Sequence, residues 1–135
     1  MISRKEMISA SITIFDENNR IDDAEMQKLW KKNIKEGADG FFIGGSVGEC
    51  FLLSTEERIH MFELASNTLH DLDIYAHDGS ISTDHAIEMA KAAPSCGIQH
   101  IASTPPFSSA FPTNELETYY YDLEKDLGRH VLYYD

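Results

Sequence analysis

Residues 44–49 read Gly-Gly-Ser-Val-Gly-Glu. Three glycines within five residues let the backbone turn sharply with its N–H groups exposed. The hydroxyl of Ser46 adds a donor. A loop of this kind can hold a carboxylate through backbone dipoles alone, and the same spacing also suits a plain turn after a strand. Cys50 follows directly and has nucleophile chemistry, but a lone cysteine in an apolar stretch reads as a small buried residue. His77, Asp78, Asp84 and His85 bring imidazole and carboxylate groups close together in the chain. Their spacing matches no recognised ligand pattern, so no metal site is expected. Cys50 and Cys96 fit no redox or metal spacing either. With no visible leader they read as reduced thiols, and a cytoplasmic location is expected.

The elements that must position these groups recur with a steady beat. Met7–Ile14 is apolar and β-branched and predicts a buried strand. After the polar turn Asp16–Arg20, Asp22 is a helix N-cap with Glu25 three residues on, and Gly37 closes the helix. Met26, Leu29, Trp30 and Ile34 form its apolar face. Gly40–Gly45 is a second strand. Ser54 and Glu57 form a capping box for a helix carrying Ile59, Phe62, Leu64, Ala65 and Leu69. Asp73–Asp78 is a third strand, followed by a helix from about Thr83 to Ala93 that Pro94 and Gly97 end. Gln99–Ser103 is a fourth strand and Thr104–Pro112 a stiff loop. Asn114–Lys125 is a helix with Leu116, Tyr119, Tyr120 and Leu123 inward, and His130–Asp135 is a fifth strand.

Strands thus recur about every 30 residues, the size of a βα repeat. Strict alternation with continuous apolar strands implies a parallel sheet covered by helices. A doubly wound open sheet and part of an eight-fold barrel both fit. No GxGxxG follows the first strand and no P-loop appears, which removes the usual support for a nucleotide-binding open sheet. In either architecture ligands bind at the C-terminal ends of the strands, which is where the Gly44–Glu49 loop falls.

The 135 residues suffice for one modest domain, against about 250 for a complete barrel. With 42% hydrophobic and 25% charged residues the chain can build a core. A formal net charge of -12 opposes binding to nucleic acid or to an anionic membrane. Backbone N–H groups can still bind a small anion within an acidic protein. No apolar run approaches the roughly 18 residues that span a bilayer.

Taken in order, the motifs resemble the pyruvate-dependent class I aldolase family that includes N-acetylneuraminate lyase and dihydrodipicolinate synthase. GGSVGE stands between a short apolar strand and an LSTEER helix start. The SxTxFDxxxxID opening, Gly-Ala-Asp-Gly before strand 2, Ala-His-Asp-Gly after strand 3, Pro-Pro-Phe after strand 4 and the Val-Leu-Tyr-Tyr-Asp end all fall in place. The AHDGSIST and PPFSSAFPTNEL stretches look closer to the sialic acid lyase branch.

The resemblance implies an α/β fold: the N-terminal part of a (β/α)8 TIM barrel, with four βα units plus a fifth strand, as one partial barrel domain over residues 1–135. It implies a lyase or aldolase that joins or splits pyruvate and an aldehyde through a lysine Schiff base, with no cofactor and no metal, in a homotetramer. Tyr134 matches the proton-shuttling tyrosine at the end of strand 5. Ser46 matches the first hydroxyl of the carboxylate-binding pair, and Val47 occupies the second place, leaving its backbone N–H as donor. Ser46 is the natural hydrogen-bond partner for a relay phenol. Glu49 matches the acidic residue closing the loop, with a structural role. Ser108 and Ser109 stand where many members have a tyrosine. The Schiff-base lysine would lie on strand 6, past the end of this chain. None of Lys5, Lys28, Lys31, Lys32, Lys35, Lys91 or Lys125 is predicted at a strand end facing the site. Two functions remain open at this level: an aldolase truncated before its amine, and a non-catalytic half-barrel module serving assembly.

Overall fold

The computed structural model describes residues 5–106 and 110–134. Strands β1 (Ile8–Ala10), β2 (Gly40–Ile43), β3 (Asp73–His77), β4 (His100–Ser103) and β5 (Leu132–Tyr133) form one parallel sheet in chain order. Helices α1 (Asp23–Lys35), α2 (Thr55–Thr68), α3 (Thr83–Ser95) and α4 (Thr113–Leu127) fill the crossovers. An unbroken 1-2-3-4-5 order, with no reversal of winding, is the arrangement of a barrel wall and not of a doubly wound sheet.

The sheet's two faces differ in burial. Phe41 and Ile43 on β2, Ile74 and Ala76 on β3, and Ile101 on β4 are buried beneath the helices. They meet Met26 and Trp30 of α1, Phe62 and Ala65 of α2, Met89 and Ala90 of α3 and Leu123 of α4 in one cluster. The register Ala10–Phe42–Tyr75–His100 runs across the other face, where Ile8 is 36% and Leu132 49% exposed.

Several boundaries depart from the sequence expectation. β1 is three residues long where Met7–Ile14 was expected. Past Ala10 the chain leaves the sheet edge: Trp30 Nε1 donates to Ser11 Oγ at 2.8 Å, and Phe15 and Ile21 form an isolated antiparallel bridge. Asp22 caps α1 by accepting from the Glu25 N–H at 3.0 Å. Its own N–H donates to Ile14 O, so the reciprocal half of a capping box is missing. Both halves are present at Ser54 and Glu57 on α2. Ile34 lies 37% exposed, beyond the reach of the core. Pro94 sits inside the last turn of α3 instead of ending it; the terminal turn bonds through Ala92 O, Ala93 O and Pro94 O, and Gly97 follows with φ 92°. β5 spans two residues of the six expected, and Asp135 lies outside the described residues.

Candidate active site

The loop after β2 is built by local backbone chemistry. Gly44 has φ 74°, a left-handed conformation that a side chain would strain. Gly45 passes so close over the Phe42 ring that a Cβ there would meet it at 2.6 Å. Two short 3₁₀ turns follow, Ser46–Gly48 and Cys50–Leu52, hinged on Glu49 at φ 57°. Thr13 Oγ1 donates to Gly48 O at 2.6 Å and ties this loop to the segment after β1. The first N–H groups of a helical turn have no partner within it. The N–H groups of Gly45, Ser46 and Val47 accordingly find no backbone acceptor among the described residues.

Ser46, Val47 and Tyr134 line one open pocket of about 390 Å³ that runs along the sheet face away from the helices, from Ile8 at the start of β1 to the loop after β2. Ser11, Phe42, Tyr75 and Leu132 also line it. The Tyr134 ring lies 5.0 Å from that of Phe42, and the Tyr134 N–H donates to Ser103 O at 2.9 Å. Tyr133 takes the opposite face, as strand alternation requires. It does not enter the core, being 57% exposed, packed on Tyr120 and donating to Glu124 Oε1 at 3.0 Å. Ser46 Oγ and the Tyr134 hydroxyl share the pocket, but among the described residues no hydrogen bond joins them.

The other residues singled out in the sequence fall elsewhere. Cys50 is buried, and desolvation pushes its thiol up. Glu49 serves the loop through its backbone, its N–H donating to Ser46 O. Asp84 and His85 lie exposed on the first turn of α3. Among the described residues no three His, Cys, Asp or Glu side chains converge on one point. Ser108 and Ser109 lie outside the described residues. Lys28, Lys31, Lys32, Lys35, Lys91 and Lys125 sit on helices, and none lines the pocket.

Beneath the loops lies a buried polar cluster that joins His77 and Asp78, singled out in the sequence, to Arg58, which was not. Arg58 of α2 is 4% exposed. Its Nη1 donates to Gly79 O at 2.9 Å and its Nη2 to His77 O at 2.6 Å. Nη2 also lies 3.4 Å from Gly44 O and 3.0 Å from His77 Nδ1. His77 Nδ1 is 2.8 Å from Gly44 O and Nε2 is 3.0 Å from Thr104 Oγ1, so the ring ties the loop after β2 to that after β4. Burial and the Arg58 charge hold the imidazole neutral, at about 4. Asp78 is fully buried, and among the described residues neither carboxylate oxygen has a hydrogen-bond partner within normal geometry. Desolvation raises it to about 7, with Ser103 Oγ and Arg58 nearby pulling the other way. Ser103 Oγ lies 3.1 Å from the Tyr119 hydroxyl. One signal was legible: Arg58, Phe62, Ala65 and Leu69 share a helical stripe, which places a guanidinium on an apolar face.

The sheet order and the glycine-rich loop after β2 together define the N-terminal part of a (β/α)8 barrel. The chain belongs to the dihydrodipicolinate synthetase family, which it matches over residues 3–134. It is 30% identical over 132 residues to the N-acetylneuraminate lyase of Fusobacterium nucleatum, covering 96% of this chain and 46% of that one. The Haemophilus influenzae N-acetylneuraminate lyase is 31% identical, with 96% and 45% covered. The chain thus spans about half the length of the relatives it matches. A Clostridium difficile structure, CdNal in complex with mannosamine, superposes with TM-score 0.90 at 29% identity, covering 98% of this chain and 47% of that one. A prophage protein of the dihydrodipicolinic acid synthase family from E. coli K12, solved in complex with pyruvate, shares the fold with TM-score 0.90 at 24% identity. It is covered over 45% of its length, against 99% of this chain.

Proposed function

We propose that this chain is the substrate-anchoring half of a pyruvate-dependent lyase that cleaves or condenses a carbon–carbon bond through a lysine Schiff base. The N–H groups of Gly45, Ser46 and Val47, which find no backbone acceptor among the described residues and stand beside the pocket, carry this reading. Three N–H dipoles and the Ser46 hydroxyl can hold the pyruvate carboxylate without a cation. Val47 contributes only its backbone, so one hydroxyl fewer orients the anion. Tyr134 stands across the same pocket, where its phenol can pass a proton once substrate or water bridges it to Ser46. The amine that attacks the pyruvate carbonyl is not supplied by the pocket lining, which among the described residues contains no lysine. The aldehyde partner, the homotetramer and the cytoplasmic location are proposals of the same kind, supported by the family. The sialic acid lyase branch is favoured by the names of the relatives at 30% identity or more.

Titrating the ¹⁵N-labelled chain with sodium pyruvate tests the anchor. Saturable shifts at the Gly45–Val47 amides are expected, and an absence of shifts there sinks the reading. Borohydride reduction with pyruvate is expected to leave the 15.2 kDa chain unmodified; an adduct on Lys28 or Lys91 would refute the account of the amine. A second reading, a non-catalytic module for assembly, is favoured by the apolar surface that Ile8 and Leu132 present. It predicts unchanged amides under pyruvate and a stable oligomer of this chain.

A further inference from the structure

We propose that Arg58 is a positioning residue for the anion-accepting loop: it anchors the carbonyl oxygens of Gly44, His77 and Gly79, and thereby aims the loop's N–H groups into the pocket without touching the bound anion. This rests on the carboxylate reading above.

The argument begins with the peptide plane. In a trans peptide the C=O and the following N–H point in opposite directions. Gly44 O is held inside the buried cluster, 3.4 Å from Arg58 Nη2 and 2.8 Å from His77 Nδ1. Neither Arg58, His77 nor Gly44 lines the pocket, whereas Gly45, Ser46 and Val47 do. Anchoring Gly44 O in the cluster therefore directs the Gly45 N–H the other way, to the pocket side. The 3₁₀ turn that follows carries the Ser46 and Val47 N–H groups in the same sense.

Gly44 needs such an anchor. Its φ of 74° belongs to a residue with wide conformational freedom, which by itself would let the loop's first peptide flip. Arg58 supplies a rigid planar fork with donors in fixed directions. The fork also grips His77 O and Gly79 O, so the ends of β2 and β3 are set relative to one another by one side chain. Lysine carries the same charge on a flexible stem and cannot reproduce the fork. Charge and geometry therefore separate experimentally.

The test compares the unmutated chain with Arg58→Lys and Arg58→Met, reading pyruvate affinity and Gly45–Val47 amide signals well below each unfolding midpoint. Both variants are expected to weaken pyruvate binding by about ten-fold or more, as mispositioned binding groups do. The Gly45–Val47 amides move while those of Ser9 and Ala10 stay. A purely structural Arg58 would lower the melting point and leave the affinity of the folded protein within two-fold, which overturns the proposal. Rescue by Arg58→Lys also overturns it, because charge alone would then suffice. If the unmutated chain shows no pyruvate shifts, the carboxylate reading fails. The positioning claim is then decided by amide residual dipolar couplings at residues 45–47, and couplings unchanged in Arg58→Lys overturn it. On the unmutated protein, the Arg58 Nη protons are expected to be resolved and slow to rotate, unlike those of exposed Arg20 and Arg129. Averaged Nη signals there overturn the proposal even if both variants fail to fold.

Discussion

Asp78 and His77 are adjacent, both buried, and titrate in opposite senses. The Asp78 carboxyl is raised from 3.8 to about 7, so between those values the native state holds a proton that the unfolded chain has released. Its contribution to stability therefore falls as pH rises from about 4 to 7. His77 is lowered from 6.5 to about 4, so over that window the unfolded chain holds the extra proton, and its contribution rises with pH. The two terms largely offset one another below pH 6.5. Asp78→Asn removes only the first. Its urea midpoint should match the unmutated protein near pH 4 and exceed it at pH 8, by about 1–3 kcal/mol for relief of an unpaired buried charge. The variant alone should then gain stability from pH 4 to 6.5. Equal midpoints at pH 8 would count against a buried, unpaired carboxylate. In the pocket, Tyr134→Phe should leave pyruvate affinity within about two-fold while removing the phenol, because the Tyr134 N–H bond to Ser103 O is retained. An amide titration with pyruvate decides this.

At the scale of elements, the βα units differ in how firmly their ends are set. α2 begins with a complete capping box and carries Arg58 one turn into the helix, so its start determines where the guanidinium falls. Ser54→Ala should cost about 1 kcal/mol of unfolding free energy, read as a lower denaturant midpoint with unchanged slope. Asp22→Ala should cost less than that, since the cap of α1 is one-sided. The loop after β2 depends on its first glycine. Gly44→Ala forces a Cβ into the left-handed region and should cost about 1 kcal/mol, visible as a lower melting temperature.

For the whole molecule, the sheet's helix face is sealed and its other face is open. Strands β1 and β5 each have one neighbour within the sheet, and Ile8 and Leu132 stand exposed near those edges. Unpaired parallel edges beside apolar side chains drive association. This 15.2 kDa chain should therefore elute above its monomer mass in size-exclusion chromatography with light scattering, and Leu132→Glu should shift it towards monomer. Monomeric behaviour of the unmutated chain at high concentration would refute this. The charge of -12 opposes association at low salt, so the oligomer should grow with ionic strength.

Much of this was determined by local sequence. Spacing of apolar residues, caps and glycines placed all five strands and four helices in order, because these signals act within a few residues. Gly-Gly-Ser-Val-Gly-Glu announced the loop, and the ordered motifs announced the family. Tertiary structure decided the rest. A run such as Met7–Ile14 is apolar throughout, so only the neighbouring strand could decide where pairing ends. Tyr134 and Ser46 lie 88 positions apart (134 minus 46), and only the pairing of β2 through β5 in one sheet brings them to one pocket. Arg58 lies on α2, and His77 and Asp78 at the end of β3; the sequence singled out the latter pair but not their meeting with Arg58. Their meaning comes from burial together, where a guanidinium must find carbonyls and desolvation shifts the titration of a carboxyl.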